Sequence, residues 1–239
     1  MKLGLLGYGK MGRAIEQVAL AQGLEIAWRI SRDNRAELNI ALLRQADVVI
    51  EFSRPEAAYE HVMLCLQAGV PVVCGTTGWN EQLAAAKSYC LEHKGAMLWA
   101  SNFSIGVNLF FALNRHLAQL MEQRPEYSAA LTEVHHIHKL DAPSGTALTL
   151  VNEIIANNIR SDGWALSPTL PGPGDIPVTA IREGEVPGTH IVNWHSEVDD
   201  ITIEHRAHSR MGFASGAVLA ATWLHGKTGY FGMGDVLGL

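Results

Sequence analysis

Apolar and polar positions alternate in two rhythms over the first hundred residues. The strand-like run Lys2–Leu6 gives way to apolar residues at Ala14, Ile15, Val18 and Ala19, the spacing of one helix face. Strand-like runs return near residues 25–30, 47–52, 70–74 and 96–100, each followed by a helical segment. Pro55 is placed to start the helix carrying Ala58, His61, Val62, Leu64 and Cys65, and Gly69 to end it. Residues 79–93 repeat the plan. This alternation predicts an α/β fold, a Rossmann-type doubly wound parallel sheet.

The alternation then stops. Residues 105–121 form a longer amphipathic pattern through Val107, Leu109, Phe110, Leu113, Leu117 and Leu120, and 127–136 turns β-like. A helix is expected to begin near Ser144. Residues 160–177 contain Pro168, Pro171, Gly172, Pro173, Gly174 and Pro177, and read as a long loop of the kind that often serves as a lid. Three β runs at 178–182, 189–195 and 200–207 have no helix between them. They predict an antiparallel or mixed sheet with the 127–136 strand. Residues 105–212 therefore read as a second, α+β domain. The last helix, 213–225, is expected to return to the first domain, which then comprises residues 1–104 plus 213–239.

Composition narrows the function. The 239 residues are 48% hydrophobic and 18% charged, with a net charge of −6, so no broad positive field is available for nucleic acid or an anionic membrane surface. No stretch approaches the ~20 apolar residues of a membrane span, and the first apolar run is too short for a signal segment. Cys65, Cys74 and Cys90 are odd in number and lack metal-ligand spacing. They read as core or surface thiols in a reducing compartment, with cytoplasm the expected location.

The order strand, Gly7-Tyr8-Gly9-Lys10-Met11-Gly12, helix points to a dinucleotide. Gly7 permits the turn, Gly9 lets backbone approach a pyrophosphate and Gly12 lets the helix pack on the strand. Ligands of such sheets sit beyond the carboxyl ends of the strands. Ser31 and Arg32, Phe52 and Ser53, Gly75, Thr76 and Thr77, and Ala100, Ser101, Asn102 and Phe103 are placed to line that crevice. An acidic residue for the ribose 2′-OH is replaced by Ser31-Arg32, with Asp33 next. NADPH is therefore expected to be favoured or at least accepted beside NADH, with Arg32 and Lys10 meeting the 2′-phosphate.

Residues 133–146, Glu-Val-His-His-Ile-His-Lys-Leu-Asp-Ala-Pro-Ser-Gly-Thr, concentrate three imidazoles, an ammonium and two carboxylates ahead of a helix start. One reading is a metal site built from Glu133, His136, His138 and Asp141, disfavoured because the ammonium of Lys139 adjoins it. Another is exposed histidines on an edge strand. Neither accounts for Ser144, Gly145 and Thr146, whose helix start offers amides to a carboxylate. A small dianion suits these groups best, and no metal is expected.

With Gly75-Thr-Thr-Gly78, residues 101–108 (Ser-Asn-Phe-Ser-Ile-Gly-Val-Asn), residues 133–147 and His205-Arg-Ala-His-Ser-Arg210, the chain resembles the 4-hydroxy-tetrahydrodipicolinate (dihydrodipicolinate) reductase family nearly end to end. The resemblance implies an NAD(P)H-dependent reduction of a cyclic dicarboxylate imine in the diaminopimelate route to lysine. It implies His135 and Lys139 as the acid pair, and His136, Lys139, Ser144, Gly145 and Thr146 as substrate contacts. It also implies a homotetramer joined through the second domain, which becomes a substrate-binding and oligomerisation domain. Closure between the domains is expected, with hinges near 102–104 and 209–213. If the strand ran straight, His135 and Lys139 would stand ~13 Å apart, so the chain must curl after His136. Ile137, where many members carry a basic or polar residue, and Ser31 depart from the family pattern. The alternatives are a related oxidoreductase for another amino-acid precursor, such as an aspartate dehydrogenase-like protein, and a non-enzymatic NAD(P)-binding regulator.

Overall fold

The computed structural model describes residues 1–209 and 211–239. Arg210, the last residue of the His205 motif, lies outside the described residues. The chain divides into two compact units, Met1–Ile105 with Met211–Leu239, and Gly106–Arg210.

The first unit contains β1 (Lys2–Leu6), α1 (Lys10–Ala21), β2 (Glu25–Ile30), α2 (Ile40–Leu43), β3 (Val48–Glu51), α3 (Pro55–Ala68), β4 (Val72–Cys74), α4 (Asn80–Glu92) and β5 (Ala96–Trp99). Its strands are all parallel, in the order β11-β5-β4-β3-β1-β2, where β11 is Gly229–Phe231. Alternate residues of each strand face opposite layers. Val49, Val72 and Met97 pack under α3 and α4 with Val62, Cys65 and Cys90, while Ile50, Val73 and Leu98 pack with Ile15 and Val18 of α1 and with Ala217 and Val218. A strand buried on both faces reads as a continuous apolar run, which is why Val48-Val49-Ile50 shows no alternation. All three cysteines are buried, so none is a surface thiol.

The helix after the second unit, α7 (Met211–Leu224), packs on α1, β3, β4 and β5. Two elements near the C-terminus were not anticipated. The strand β11 and the short α8 (Met233–Leu237) follow a glycine- and aromatic-rich stretch whose periodicity is too short to read.

The second unit holds α5 (Ile105–Met121) from its second residue on, β6 (Ser128–His135), α6 (Gly145–Asn157), β7 (Gly163–Leu166), β8 (Asp175–Arg182), β9 (Thr189–His195) and β10 (Asp200–Arg206). The sheet order is β10-β9-β6-β8-β7, with β6 parallel to β8, β8 parallel to β7, and β9 antiparallel to its neighbours. One face carries Leu131, Val178, Val192 and Trp194 into a core with Phe110, Phe111, Leu150, Val151 and Ile154 from α5 and α6. The expected long loop at 160–177 is a correction: it contains β7 and the first residues of β8. Pro177 sits within β8 opposite Ala165, where pairing with the short edge strand β7 overrides the turn preference of proline. No described helix is long and apolar enough to cross a membrane.

Candidate active site

The turn after β1 is made of glycines for separate reasons. Gly7 has φ of 92°, and a Cβ there would collide with the carbonyl of Phe52; a Cβ at Gly12 would collide with the carbonyl of Gly7. Only hydrogens fit at those two contacts. Gly9 differs, since a Cβ there would meet no atom of the described residues within 4 Å. It is the N-cap of α1, with no side-chain cap and no acidic residue in the first turn. The first amides of α1 thus face open space at the positive end of a helix dipole, which fits a pyrophosphate.

The flanking side chains are tied down. The Tyr8 hydroxyl bonds Glu16, whose carboxylate also accepts from Arg29 Nε at 2.8 Å. Arg29 holds the Glu16 carboxyl below its ordinary range. Ser31 donates its amide to Asn34 Oδ1 at 2.8 Å, while the Arg32 side chain is 81% exposed and 3.7 Å from Asp33. Lys10, Thr77 and Ser101 are exposed, and Met11 packs against the core below.

Two expected contacts turn inward. The Thr76 hydroxyl is buried and accepts from the Ser53 amide at 2.9 Å, and Phe103 is only 2% exposed, its ring 5.5 Å from that of Phe52. Thr76 therefore shapes its loop from below, and Phe103 presents backbone alone. Ala100 is likewise buried, and Asn102 Oδ1 accepts the Ser104 amide at 2.9 Å.

In the second unit β6 delivers Glu133 and His135 to the inner face of the sheet and ends there. The Lys139 amide then bonds the His136 carbonyl at 3.1 Å, so the chain curls immediately after the strand. Ser144 is the N-cap of α6, its hydroxyl accepting the Ala147 amide at 3.2 Å. Gly145 is exposed, with no atom of the described residues within 4 Å of a would-be Cβ, and the first amides of α6 at Gly145 and Thr146 have no acceptor within the helix.

Glu133 holds these parts together. It is fully buried, and its two oxygens accept the Ser144 amide at 3.2 and 3.1 Å. Arg182 Nη2 donates to Glu133 at 3.1 Å and to the Asp141 carbonyl at 2.6 Å, while Arg182 Nε reaches the Lys139 carbonyl at 3.4 Å. His190 from β9 places Nε2 3.1 Å from the Ser144 hydroxyl, and its ring lies 5.1 Å from that of His135. Arg182 and His190 were not singled out from sequence, and Glu133 was weighed there only as a metal ligand. The available signal was an imidazole at an inward-facing position of an apolar strand, beside Val192 and Trp194.

Charge in this cluster is set by burial. Burial lowers the proton affinity of His135; Glu133 opposes that, while Lys139 and Arg182 reinforce it. His190 is pushed down to about 4, first by burial and then by His135. Both imidazoles are neutral near pH 7. Lys139 pairs with Asp141 and thereby lowers the Asp141 carboxyl. His136 is half-buried beside this curl.

The metal set considered from sequence is not assembled: His138 pairs with Glu185 at 3.0 Å and Asp141 with Lys139. Glu133, His135 and His190 instead bring donor atoms within 4.8 Å of one another. The guanidinium of Arg182 already supplies the positive charge to that carboxylate, so the cluster is a hydrogen-bonded ionic core.

A parallel βα sheet with an open glycine-turn helix, joined in one chain to a mixed-sheet unit bearing a lysine, imidazoles and a free helix start, defines a pyridine-nucleotide-dependent oxidoreductase of Rossmann type. Residues 1–103 match the family model "Dihydrodipicolinate reductase, N-terminus" and residues 106–237 the model "Dihydrodipicolinate reductase, C-terminus". A 4-hydroxy-tetrahydrodipicolinate reductase of Christiangramia forsetii is 44% identical over 99% of this chain and 98% of its own length. One from Ralstonia nicotianae is 38% identical over the whole of both chains. The chain belongs to the dihydrodipicolinate reductase family. Its fold is similar to that of a dipicolinate-bound dihydrodipicolinate reductase from Paenisporosarcina sp. TG-14, with TM-score 0.79 at 24% identity over 98% of each chain. It is more distantly similar to that of an amine dehydrogenase from Mycobacterium smegmatis, with TM-score 0.60 at 12% identity over 95% of this chain and 93% of that one.

Proposed function

We propose that this chain reduces 4-hydroxy-tetrahydrodipicolinate with NAD(P)H in the diaminopimelate route to lysine, the proton coming from the His135 and Lys139 pair. The observation that carries the site assignment is the Glu133 cluster. It ties the Lys139 curl, through Arg182, and the start of α6 to one carboxylate, with His135 Nδ1 3.5 Å from it, so that an acid and a carboxylate cradle share one location.

The nucleotide, when bound, would supply a hydride to the carbon–carbon double bond conjugated with the imine, formed once the 4-hydroxyl has left as water, and the enamine left behind takes the proton. This chain's residues do the rest. The open amides at Gly145 and Thr146, with Ser144 as their cap, receive one substrate carboxylate; Lys139 and His136 receive the other charge. Lys139 is the second member of the acid pair. His135 is neutral in the free site, and a dianion beside it raises its affinity for a proton, so that it becomes the partner acid only when substrate is bound. This division of labour favours an enzyme over a binding-only regulator.

Gly7, Tyr8, Gly9, Lys10, Met11 and Gly12 hold the pyrophosphate end of the cofactor. Phe52, Gly75, Thr77, Ala100, Ser101, Asn102 and the backbone of Phe103 line the nicotinamide end. Exposed Arg32 and Lys10 support NADPH, and neighbouring Asp33 leaves NADH acceptable. Arg32→Glu is expected to shift the ratio of kcat/KM for NADPH and NADH about tenfold toward NADH; an unchanged ratio removes Arg32 from this role.

Assembly as a homotetramer is supported by the uncovered face of the second sheet, which carries Thr132, Val134, Ile181 and Ile191, with Ile181 41% exposed. Light scattering at micromolar concentration tests it. For the reaction, NADPH oxidation is followed as the fresh condensation product of aspartate semialdehyde and pyruvate is supplied. No turnover overturns the assignment, and an unchanged rate in Lys139→Ala overturns the role of Lys139.

A further inference from the structure

A second buried carboxylate lies in the first unit, where the proposed chemistry makes no use of it. Glu51 is the last residue of β3 and is fully buried, following the apolar run Val48-Val49-Ile50. Placing a charge there costs several kcal/mol unless every lone pair is occupied. The occupants are specific. The Ser53 hydroxyl donates to Glu51 Oε1, the Ser53 amide donates to the same oxygen at 3.1 Å, and Cys74 Sγ donates to Oε2 at 3.1 Å. His61 Nδ1 from α3 lies 3.4 Å from Oε1.

The network passes from Glu51 into the loop after β4. The Ser53 amide is shared with the Thr76 hydroxyl at 2.9 Å, and the Thr76 carbonyl accepts two indole N–H groups, Trp79 at 2.8 Å and Trp99 at 3.2 Å. Next door, a Cβ at Gly75 would collide with the ring of Phe52. The loops after β3 and β4 are thus locked to each other from beneath, which leaves Thr77 exposed above them.

The side chains resemble a Ser-His-Glu triad only in composition. Serine and carboxylate both meet the same nitrogen, Nδ1 of His61, so the imidazole cannot pass a proton from one to the other through its ring.

We propose that Glu51 is a positioning residue for the cofactor: through Ser53 and Thr76 it fixes the two loops that contact the nicotinamide end, and so sets nucleotide affinity without touching the nucleotide. The proposal rests on the cofactor assignment above. Burial works to raise the Glu51 carboxyl, yet its hydrogen bonds from His61, Ser53, Thr76 and Cys74 together hold it below the ordinary range, so it remains the charged acceptor that these loops need.

The test uses the full-length protein and two variants, Glu51→Gln and Ser53→Ala. NADPH and NADH binding is titrated without the dicarboxylate by quenching of intrinsic fluorescence, and steady-state constants are then measured. Loss of a hydrogen bond to a charged group predicts a rise of about tenfold in nucleotide Kd and KM for Glu51→Gln. The KM for the dicarboxylate and kcat at saturating nucleotide should stay within about twofold. Ser53→Ala should raise nucleotide Kd about threefold, and the double variant should be no worse than Glu51→Gln, since both act through one linkage. Equal losses for both ligands, or unchanged nucleotide affinity in the variants, overturn the proposal. If Glu51→Gln fails to fold, Ser53→Ala decides alone by the same criterion. A parent protein that binds neither nucleotide overturns the cofactor assignment itself, a result distinct from either variant outcome.

Discussion

The ammonium of Lys139 lies 2.8 and 2.9 Å from the two carboxylate oxygens of Asp141, two residues further along the same curl. The group expected to meet a substrate carboxylate is therefore already engaged by a carboxylate of the protein. Asp141 is 62% exposed at its side chain, so a dianion arriving from solvent has access to exchange with it.

Removing this internal competitor should tighten substrate binding. Exposed ion pairs are worth up to about 1 kcal/mol, which predicts a fall of roughly threefold to fivefold in the dicarboxylate KM for Asp141→Asn. Steady-state kinetics at saturating nucleotide check it. A raised KM would show that Asp141 orients Lys139 for substrate.

Arg182 is expected to matter for both stability and catalysis. Its guanidinium neutralises buried Glu133 and holds the carbonyls flanking Leu140. Arg182→Met should destabilise the fold by about 3 kcal/mol, the cost of leaving a buried carboxylate without its cation. Arg182→Lys keeps the charge but loses the planar fork. It should recover much of the stability in urea unfolding while kcat/KM stays reduced about tenfold or more. Equal recovery of both would make the residue a charge partner only.

His190 predicts a pH dependence of stability. Its folded value of about 4 lies below the ordinary 6.5, so between those values the unfolded chain binds more protons. Stability therefore rises with pH across that window and is lost as pH falls from 6.5 toward 4, by about 3 kcal/mol from this group. In His190→Gln the slope of unfolding free energy against pH between 4 and 6.5 should flatten. An unaltered slope would assign the acid sensitivity to other groups.

The two glycines at the start of α1 should fail in different ways. Gly12→Ala forces a methyl onto the Gly7 carbonyl and should lower stability by about 1–3 kcal/mol. Gly9→Ala adds a methyl only to open space, so the melting temperature should barely change while nucleotide affinity drops. Calorimetry paired with nucleotide titration separates the two. A Gly9→Ala protein that binds nucleotide normally would move the phosphate away from this turn.

The parts legible in the sequence are those whose causes are local. Gly7 and Gly12 are required by contacts made within one strand–turn–helix unit, and Pro55 and Gly69 bracket α3 through their own backbone preferences. The curl after His136 followed from the family resemblance, which puts His135 and Lys139 on one ligand, together with the length of an extended strand. Pro168, Pro171 and Gly172 do lie in the connection between β7 and β8, but where an element depends on a distant partner local signals misled: Pro177 promised more loop, yet it sits in β8 because β8 pairs with β7 and with β6. The hydroxyl of Thr76 was expected to line the crevice because it follows a strand of the parallel sheet. It is turned inward by Ser53, which lies 23 positions away.

The sequence by itself determined the class of fold and the chemical types at the site, because hydrophobic periodicity, glycine stereochemistry and the ionisable groups of residues 133–146 are properties of short segments. Only the tertiary structure decided which groups share a location. Glu133 meets Arg182 49 residues on, and His190 meets Ser144 across 46, through the register of β6 with β8 and β9. A shift of one residue in either pairing would turn those side chains to the opposite face of the sheet, and strand register is fixed by the packing of the whole core and not by any local run.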